Sequence, residues 1–166
     1  MFHPVRRWCF YGPIEQTLIP GSSLHDVEST LADQQDIDSI LRAHRVPYQA
    51  TATVAYPEDM ARKFAKARAV SGFRFIHILS PCPPGWKHDA DQTVRYSRLA
   101  VQTGLFPLYE LEEGRFKLSV PVPRRKPVEE FLAGQGRFKN LRDEDKAALQ
   151  RGIDERWERL AQGRID

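Results

Sequence analysis

The chain has 166 residues, of which 41% are hydrophobic and 28% charged, and its formal net charge is +3 at pH 7. This length suits one globular domain, and two cysteines exclude both a secreted disulfide framework and a self-contained four-cysteine metal site. No stretch approaches the roughly 20 apolar residues that span a bilayer and no signal-peptide pattern opens the chain, so we expect a cytoplasmic protein without membrane association.

The first 35 residues differ from the rest, because prolines and glycines recur there without a sustained hydrophobic period. We predict an irregular N-terminal arm over residues 1–35. The pair Arg6-Arg7 could begin a twin-arginine signal, but no long apolar region follows it. An irregular arm with a few buried aromatic side chains is the favoured interpretation.

From residue 36 onward, helix and strand patterns alternate. Asp36 is a candidate cap for a helix that ends near Arg45, and residues 46–54 are typical of a strand. Pro57 begins a second helix that Gly72 closes, with a predicted buried stripe of Met60, Phe64 and Ala67.

The second half of the pattern continues in the same way. The predicted elements are a strand over 73–79, a helix over 89–104, a hairpin of 105–111 and 115–120, a short helix over 127–132, and a last helix from Asp143. Leu149, Ile153, Trp157 and Leu160 lie on one face of that last helix. Alternating helices and apolar strands predict an α/β fold with a mostly parallel sheet flanked by helices over 36–142, and a C-terminal helical extension over 143–166.

Cys82 is the candidate site residue. The apolar run Phe75 to Leu79 leads directly to it, and prolines on both sides stiffen the backbone around the thiol. Ligands of open α/β sheets collect beyond the carboxyl ends of strands, and a cysteine followed by proline also occurs in iron–sulfur sequences. A small buried core residue is the alternative. We predict a half-buried packing role for His77 and a loop position for His88.

A basic segment spans residues 115–142, with eight Lys or Arg against two Glu. It has three interpretations: a solvated face, a docking surface for an acidic protein, or a nucleic-acid surface. Phe116, Phe131 and Phe138 could stack on bases, although their spacing better fits a hydrophobic seam. We therefore do not expect nucleic acid as a partner.

The segments from Asp36 to about Leu160 strongly resemble the C-terminal part of the beta subunit of pyruvate:ferredoxin oxidoreductase and its 2-oxoacid:ferredoxin oxidoreductase relatives. The resemblance rests on residues 43–48, 54–59, 75–86, 99–110, 125–132 and 136–138, which read AHRVPY, VAYPED, FIHILSPCPPGW, LAVQTGLFPLYE, RKPVEEFL and GRF.

The resemblance implies the C-terminal half of a thiamine-diphosphate-binding domain over 36–142. It also implies a pyruvate synthase-like complex that decarboxylates a 2-oxoacid, transfers the acyl group to coenzyme A and passes electrons through iron–sulfur clusters to ferredoxin. The intact family enzyme uses thiamine diphosphate, Mg²⁺ and [4Fe-4S] clusters. Cys82 matches the fourth cysteine ligand of the cluster nearest the diphosphate cofactor, while ferredoxin and other subunits of the oxidoreductase are the implied partners.

The chain departs from this pattern, because it lacks the family's first three cluster cysteines and its Gly-Asp-Gly diphosphate motif. One thiolate does not hold a [4Fe-4S] cluster, which normally needs four ligands, and Cys9 lies between Trp8 and Phe10 in a packing context. We therefore assign no catalytic or cofactor-binding residue, and expect a truncated, split or frame-disrupted subunit that is inactive alone. A non-catalytic subunit-binding or assembly module is the alternative. An open sheet edge further predicts an oligomeric or partner-bound state.

Overall fold

A computed structural model describes residues 37–163 of the chain. The predicted arm over residues 1–35, which includes Cys9, lies outside these residues, as does the predicted helix cap Asp36. The division of the chain into domains at residues 35 and 142 stays a prediction. The helices and strands, in chain order, are α1 (Ile37–Ala43), β1 (Tyr48–Thr53), α2 (Pro57–Ala69), β2 (Arg74–Leu79), α3 (Pro83–Trp86), α4 (Thr93–Gln102), β3 (Tyr109–Glu112), β4 (Arg115–Leu118), α5 (Glu129–Leu132) and α6 (Asp143–Ala161). Short 3₁₀ turns cover Ala90–Gln92 and Gly136–Phe138.

The strands form one sheet in the order β2-β1-β3-β4. β1 and β2 run parallel in register from Tyr48 opposite Arg74 to Thr53 opposite Leu79. β3 is antiparallel to both β1 and β4. The α/β fold with a C-terminal helix is therefore as predicted, but the sheet is mixed, with one parallel pairing among the three in the described chain.

The hairpin predicted around Gly114 is confirmed, and it explains the antiparallel half of the sheet. Glu113 and Gly114 form a two-residue turn with φ of 49° and 78°. Positive φ at both turn positions matches the right-handed twist of paired strands, so the chain reverses tightly and β4 lies against β3.

The main core lies between the sheet and the two longer helices of the second half, α4 and α6. The stripe predicted on α6 is confirmed, because Leu149, Ile153, Trp157 and Leu160 are all buried in this core. The indole nitrogen of Trp157 donates a 2.8 Å hydrogen bond to the carbonyl oxygen of Gly104, just beyond the end of α4. α6 thus packs against the end of α4 and contributes four side chains to the main core.

β2 differs from the prediction of a buried strand. All six residues of β1 are buried, whereas the four residues Phe75–Ile78 of β2 are only half-buried and Arg74 is exposed. The reason is topological, since β1 has strands on both sides and β2 is the terminal strand of the sheet that residues 37–163 form. Phe73, just before β2, is 60% exposed.

The inner face of α2 is also different from the prediction. Ala67 is buried as expected, but Met60 and Phe64 are half-buried, and the remaining buried positions are Asp59 and Lys63. These three buried residues follow an i, i+4, i+8 spacing, which selects one face of a helix. A polar pair therefore occupies the position where an apolar stripe was predicted.

No helix in residues 37–163 is long and apolar enough to cross a membrane.

Candidate functional site

Cys82 lies just beyond the carboxyl end of β2, where the parallel pair of the sheet ends. It is half-buried, carries a free thiol and packs against the main core. The residue is the N-cap of α3, with extended backbone at φ −103° and ψ 108°, and Pro83 starts the helix. Proline at the first helical position is pre-organised for a helix, so the short turn can form directly after the thiol.

Trp86 and Arg137 hold the turn that carries Cys82 in place. The backbone N–H of Trp86 donates to the carbonyl oxygen of Cys82 at 2.8 Å, and the Trp86 side chain is 1% exposed. The guanidinium of Arg137 lies 3.7 Å from the centre of the Trp86 ring, a cation–π contact. These contacts hold the turn against the core, and the stiffness of the loop stays a prediction.

Gly85 lets the thiol lie close to the backbone of α3. A Cβ atom added at Gly85 would lie 3.3 Å from the sulfur of Cys82. A larger residue at this position would therefore push the thiol away from its present place.

The two histidines near this turn have packing contacts. His77 is half-buried in β2, with its ring edge-on to Phe106 at 5.3 Å between centroids, in line with the prediction. His88 lies in the loop after α3 as predicted, and its ring contacts Tyr96 at 4.8 Å and Trp86 at 6.1 Å. Neither joins Cys82 in a metal site, because residues 37–163 contain no cluster of three or more His, Cys, Asp or Glu side chains suited to a metal ion.

The described residues therefore do not fit a complete [4Fe-4S] site, since they supply one thiolate where four ligands are normal. The chain likewise has no glycine-rich phosphate-binding loop. Cys82 itself is a half-buried free thiol on a proline-flanked turn, and its role as a metal ligand stays a prediction.

A buried polar cluster lies between α2 and the sheet, and the sequence pattern did not predict it. The Lys63 side chain is fully buried, and its Nζ donates to the carbonyl oxygen of Thr51 at 2.7 Å, to Oδ2 of Asp59 at 2.5 Å and to Oγ of Ser119 at 2.6 Å. Burial lowers the pKa of Lys63, against the opposing effect of Asp59. The spacing of Asp59 and Lys63 was the available signal, since acid–base pairs four residues apart meet on a helix.

A second network continues this cluster toward β3. Oε2 of Glu110 accepts hydrogen bonds from the Tyr48 hydroxyl at 3.0 Å and from Nζ of Lys66 at 2.9 Å. Burial and the neighbouring Glu110 raise the pKa of Tyr48. Burial alone would raise the pKa of Glu110, but the hydrogen bonds from Lys66 and Tyr48 outweigh it and lower the pKa. The network holds α2 on the sheet through charge.

The basic segment is less positive than its composition indicates. Arg115 pairs with Glu113, Arg125 with Asp154, Lys126 with Glu130, and Arg142 with Glu144 and Asp145. The three phenylalanines pack with the main core, where Phe131 is 2% exposed. This arrangement is the hydrophobic seam that their spacing favours.

No protein-family model matches the chain. Curated relatives do match it. The ketoisovalerate oxidoreductase subunit VorB of Pyrococcus horikoshii is 47% identical over 146 residues, which cover 87% of this chain and 46% of the relative. The pyruvate synthase subunit PorB of Methanocaldococcus jannaschii is 45% identical over 127 residues, covering 76% and 43%. The PorB subunit of Thermotoga maritima is 41% identical over 132 residues, covering 76% and 41%.

The chain is a homologue of the 2-oxoacid:ferredoxin oxidoreductase beta subunits. It spans about half the length of the curated relatives it matches. The resemblance carried by the sequence motifs is thus confirmed by identity that extends over most of the chain.

Proposed function

We propose that this chain contributes part of a beta subunit to a 2-oxoacid:ferredoxin oxidoreductase. Such a complex would decarboxylate a 2-oxoacid oxidatively, form acyl-coenzyme A and pass the electrons to ferredoxin. The observation that carries the proposal is the identity of 45–47% to subunits named for ketoisovalerate oxidoreductase and pyruvate synthase.

Within that complex, we propose Cys82 as one ligand of a [4Fe-4S] cluster. Its support is the half-exposed thiol on a rigid turn beyond a parallel strand, which is where ligands of open α/β sheets collect. The remaining cluster ligands, and the groups that bind thiamine diphosphate and Mg²⁺, would come from polypeptide outside the described residues. We therefore do not propose that the described residues oxidise a 2-oxoacid on their own.

A subunit-binding or assembly module is the second candidate. The terminal strand β2 and the 60% exposed Phe73 favour it, because both offer contact surface without any catalytic group. In that case the chain would join the other subunits but leave 2-oxoacid oxidation unchanged.

Anaerobic co-expression with the other subunits of a homologous oxidoreductase, and with the part of the Pyrococcus horikoshii VorB subunit that this chain does not match, tests both candidates. The purified complex is assayed for coenzyme A-dependent reduction of a viologen dye by pyruvate and by ketoisovalerate, and for iron content. We expect dye reduction and bound iron. Co-purification without either would contradict the enzyme proposal and favour the assembly module.

The Cys82→Ala variant tests the thiol, with Ser80→Ala as its matched control because Ser80 is an exposed residue of the same loop. Each variant is co-expressed with the unmatched part of the Pyrococcus horikoshii VorB subunit, and the resulting complex is reconstituted with iron and sulfide. The visible absorption band is expected to show less cluster in Cys82→Ala and to be unchanged in Ser80→Ala. Equal bands in both variants would exclude Cys82 as a ligand.

A further inference from the structure

The turn that carries Cys82 contacts a segment far along the chain through both backbone and side-chain groups. The backbone N–H of Gly136 donates to the carbonyl oxygen of Lys87, directly after α3, at 3.0 Å. The guanidinium of Arg137 lies over the ring of Trp86. The place of this turn therefore depends on residues that its own prolines do not determine.

The guanidinium of Arg137 lies unusually close to its aromatic partner. Its carbon atom is 3.7 Å from the centre of the Trp86 ring, whereas that of Arg125 is 5.3 Å from the centre of the Trp157 ring. At 3.7 Å the two groups are in van der Waals contact, and the attraction of the cation to the ring face adds to that contact. Arg137 therefore stabilises one position of the Trp86 ring.

Arg137 is itself held in this orientation. Its Nε donates to Oε1 of Gln135 at 3.0 Å. Gln135 is 3% exposed, and its side-chain amide in turn donates to the carbonyl oxygen of Phe131. A planar guanidinium can stack on a ring with its face and donate from its edge at the same time, whereas an ammonium group has no such face. The arrangement is therefore specific to arginine.

Trp86 connects Arg137 to the thiol. The Trp86 side chain is buried, and its backbone N–H donates to the carbonyl oxygen of Cys82 at 2.8 Å. The Cys82 sulfur lies close to Gly85 of the same turn, only 3.3 Å from the place of an added Cβ. A displaced Trp86 would therefore move the backbone of Cys82 and carry the thiol with it.

We propose that Arg137 is a positioning residue for Cys82 and acts through Trp86 to hold the thiol where it can serve as a metal ligand. This inference rests on the proposed function, because a fixed thiol is required only if Cys82 is a ligand. Groups that orient a ligand from outside the coordination shell commonly change metal affinity when they are removed.

Alkylation of Cys82 by iodoacetamide tests the positioning without a cluster. The full chain is used, and peptide mass spectrometry follows Cys82 separately from Cys9. Arg137→Ala should raise the alkylation rate at least about fivefold, because a half-buried thiol becomes more accessible when its turn opens locally. Arg137→Lys keeps a cation near the ring but lacks the planar face, so its rate should lie between those of the native chain and Arg137→Ala.

Arg125→Ala is the matched control, because it removes a guanidinium from the face of the other tryptophan in residues 37–163, Trp157. It should change the alkylation rate of Cys82 by less than about twofold, since independent sites contribute separately. Circular dichroism verifies that each variant is folded at the temperature of the assay. Should Arg137→Ala unfold, Arg137→Lys decides, and a native alkylation rate in that variant would overturn the inference.

Iron content then tests the consequence for the ligand. Each variant is co-expressed with the unmatched part of Pyrococcus horikoshii VorB and reconstituted with iron and sulfide. Arg137→Ala should hold at least about twofold less iron than Arg125→Ala does. Absence of iron from the native complex would contradict Cys82 as a ligand, and the alkylation rates would still decide whether Arg137 positions the thiol.

Three results would overturn the inference. Equal alkylation rates in Arg137→Ala and Arg125→Ala would mean that any lost stacking contact has the same effect. A rate in Arg137→Lys equal to that in Arg137→Ala would exclude a role for the cation. Faster alkylation of Arg137→Ala together with a native iron content would exclude Arg137 as a residue that positions the ligand.

Discussion

Lys63 illustrates how a buried cation is held at the scale of one residue. Its ammonium group is fully buried, and its three hydrogen bonds reach β1, its own helix and Ser119 beyond β4. An ammonium group in a low-dielectric interior is strongly destabilising unless it is paired and hydrogen-bonded. All three protons of Lys63 have acceptors, so α2 has one defined position on the sheet.

The Lys63→Met variant should lower the free energy of unfolding by about 3 kcal/mol, because Asp59 then loses its buried partner. Arg62→Ala is the control; it removes a 63% exposed partner of the same carboxylate and should change stability by less than about 1 kcal/mol. Urea unfolding measures both. The double variant Asp59→Leu/Lys63→Met should recover most of the loss, and failure to recover would mean that packing rather than charge is responsible.

The lowered pKa of Glu110 predicts a pH dependence. The folded state binds fewer protons at this carboxyl than the unfolded state does, so its contribution to stability is complete above the ordinary pKa of 4.5 and disappears as pH falls through the lowered folded value. Glu110→Gln should therefore lower the melting temperature at pH 6, with a smaller difference from the native chain at pH 3. Thermal unfolding across this range is the measurement, and a difference independent of pH would contradict the assignment.

At the scale of elements, the junction of α4 with α6 depends on Gly104. This residue has φ of +81°, and a Cβ atom there would collide with the Trp157 indole and the Arg125 side chain. The Gly104 carbonyl also accepts hydrogen bonds from Trp157 and Arg156. The end of one helix and the face of another therefore meet where only glycine fits.

Gly104→Ala should destabilise the chain by more than about 1 kcal/mol, because both its backbone conformation and its surroundings exclude a side chain. Gly152→Ala is the matched control. Gly152 lies within α6 with nothing within 4 Å of an added Cβ, so this change should stabilise the chain by about 0.5–1 kcal/mol. Denaturant midpoints distinguish the two, and equal shifts would contradict the packing argument.

The elements that the sequence predicts well are those decided by local pattern. α6 has four apolar residues on one face, and the β3–β4 hairpin has Gly114 at its turn, so both could be predicted from neighbouring residues alone. The pairing of β1 with β3 joins residues about 60 positions apart, and no local period encodes that choice. Likewise, a pattern treats Lys63 as a surface residue, because its acceptors at Thr51 and Ser119 are brought together only by the fold.

The candidate site likewise combines a feature that neighbouring residues determine with one that the whole fold determines. The proline-flanked turn of Cys82 and its place beyond a strand follow from adjacent residues. The edge position of β2 does not follow from adjacent residues, because it depends on which strands of the sheet are present. The sequence therefore predicts the proline-flanked turn of Cys82 but overestimates the burial of the strand that leads to it.

At the scale of the whole molecule, α6 closes a core that the earlier elements assemble. Removal of residues 141–166 would take Leu149, Ile153, Trp157 and Leu160 out of the main core, which also holds Val101 of α4 and Leu111 of β3. We expect this truncated chain to lose its cooperative thermal transition and to aggregate. Deletion of residues 1–35, the predicted arm, should preserve the transition. Calorimetry compares the two, and a cooperative transition without α6 would contradict its structural role.

The contact of Trp157 with Gly104 also has a consequence for synthesis on the ribosome. Domains fold as their chain emerges, N-terminal segments first, but this core takes an essential layer from residues 149–160. Until that segment has left the exit tunnel, α4 and the sheet remain uncovered on one side. Between the emergence of α4 and that of residues 149–160, the nascent protein therefore has an interval of exposed apolar surface, during which chaperone binding or early association with another subunit would have the largest effect on yield.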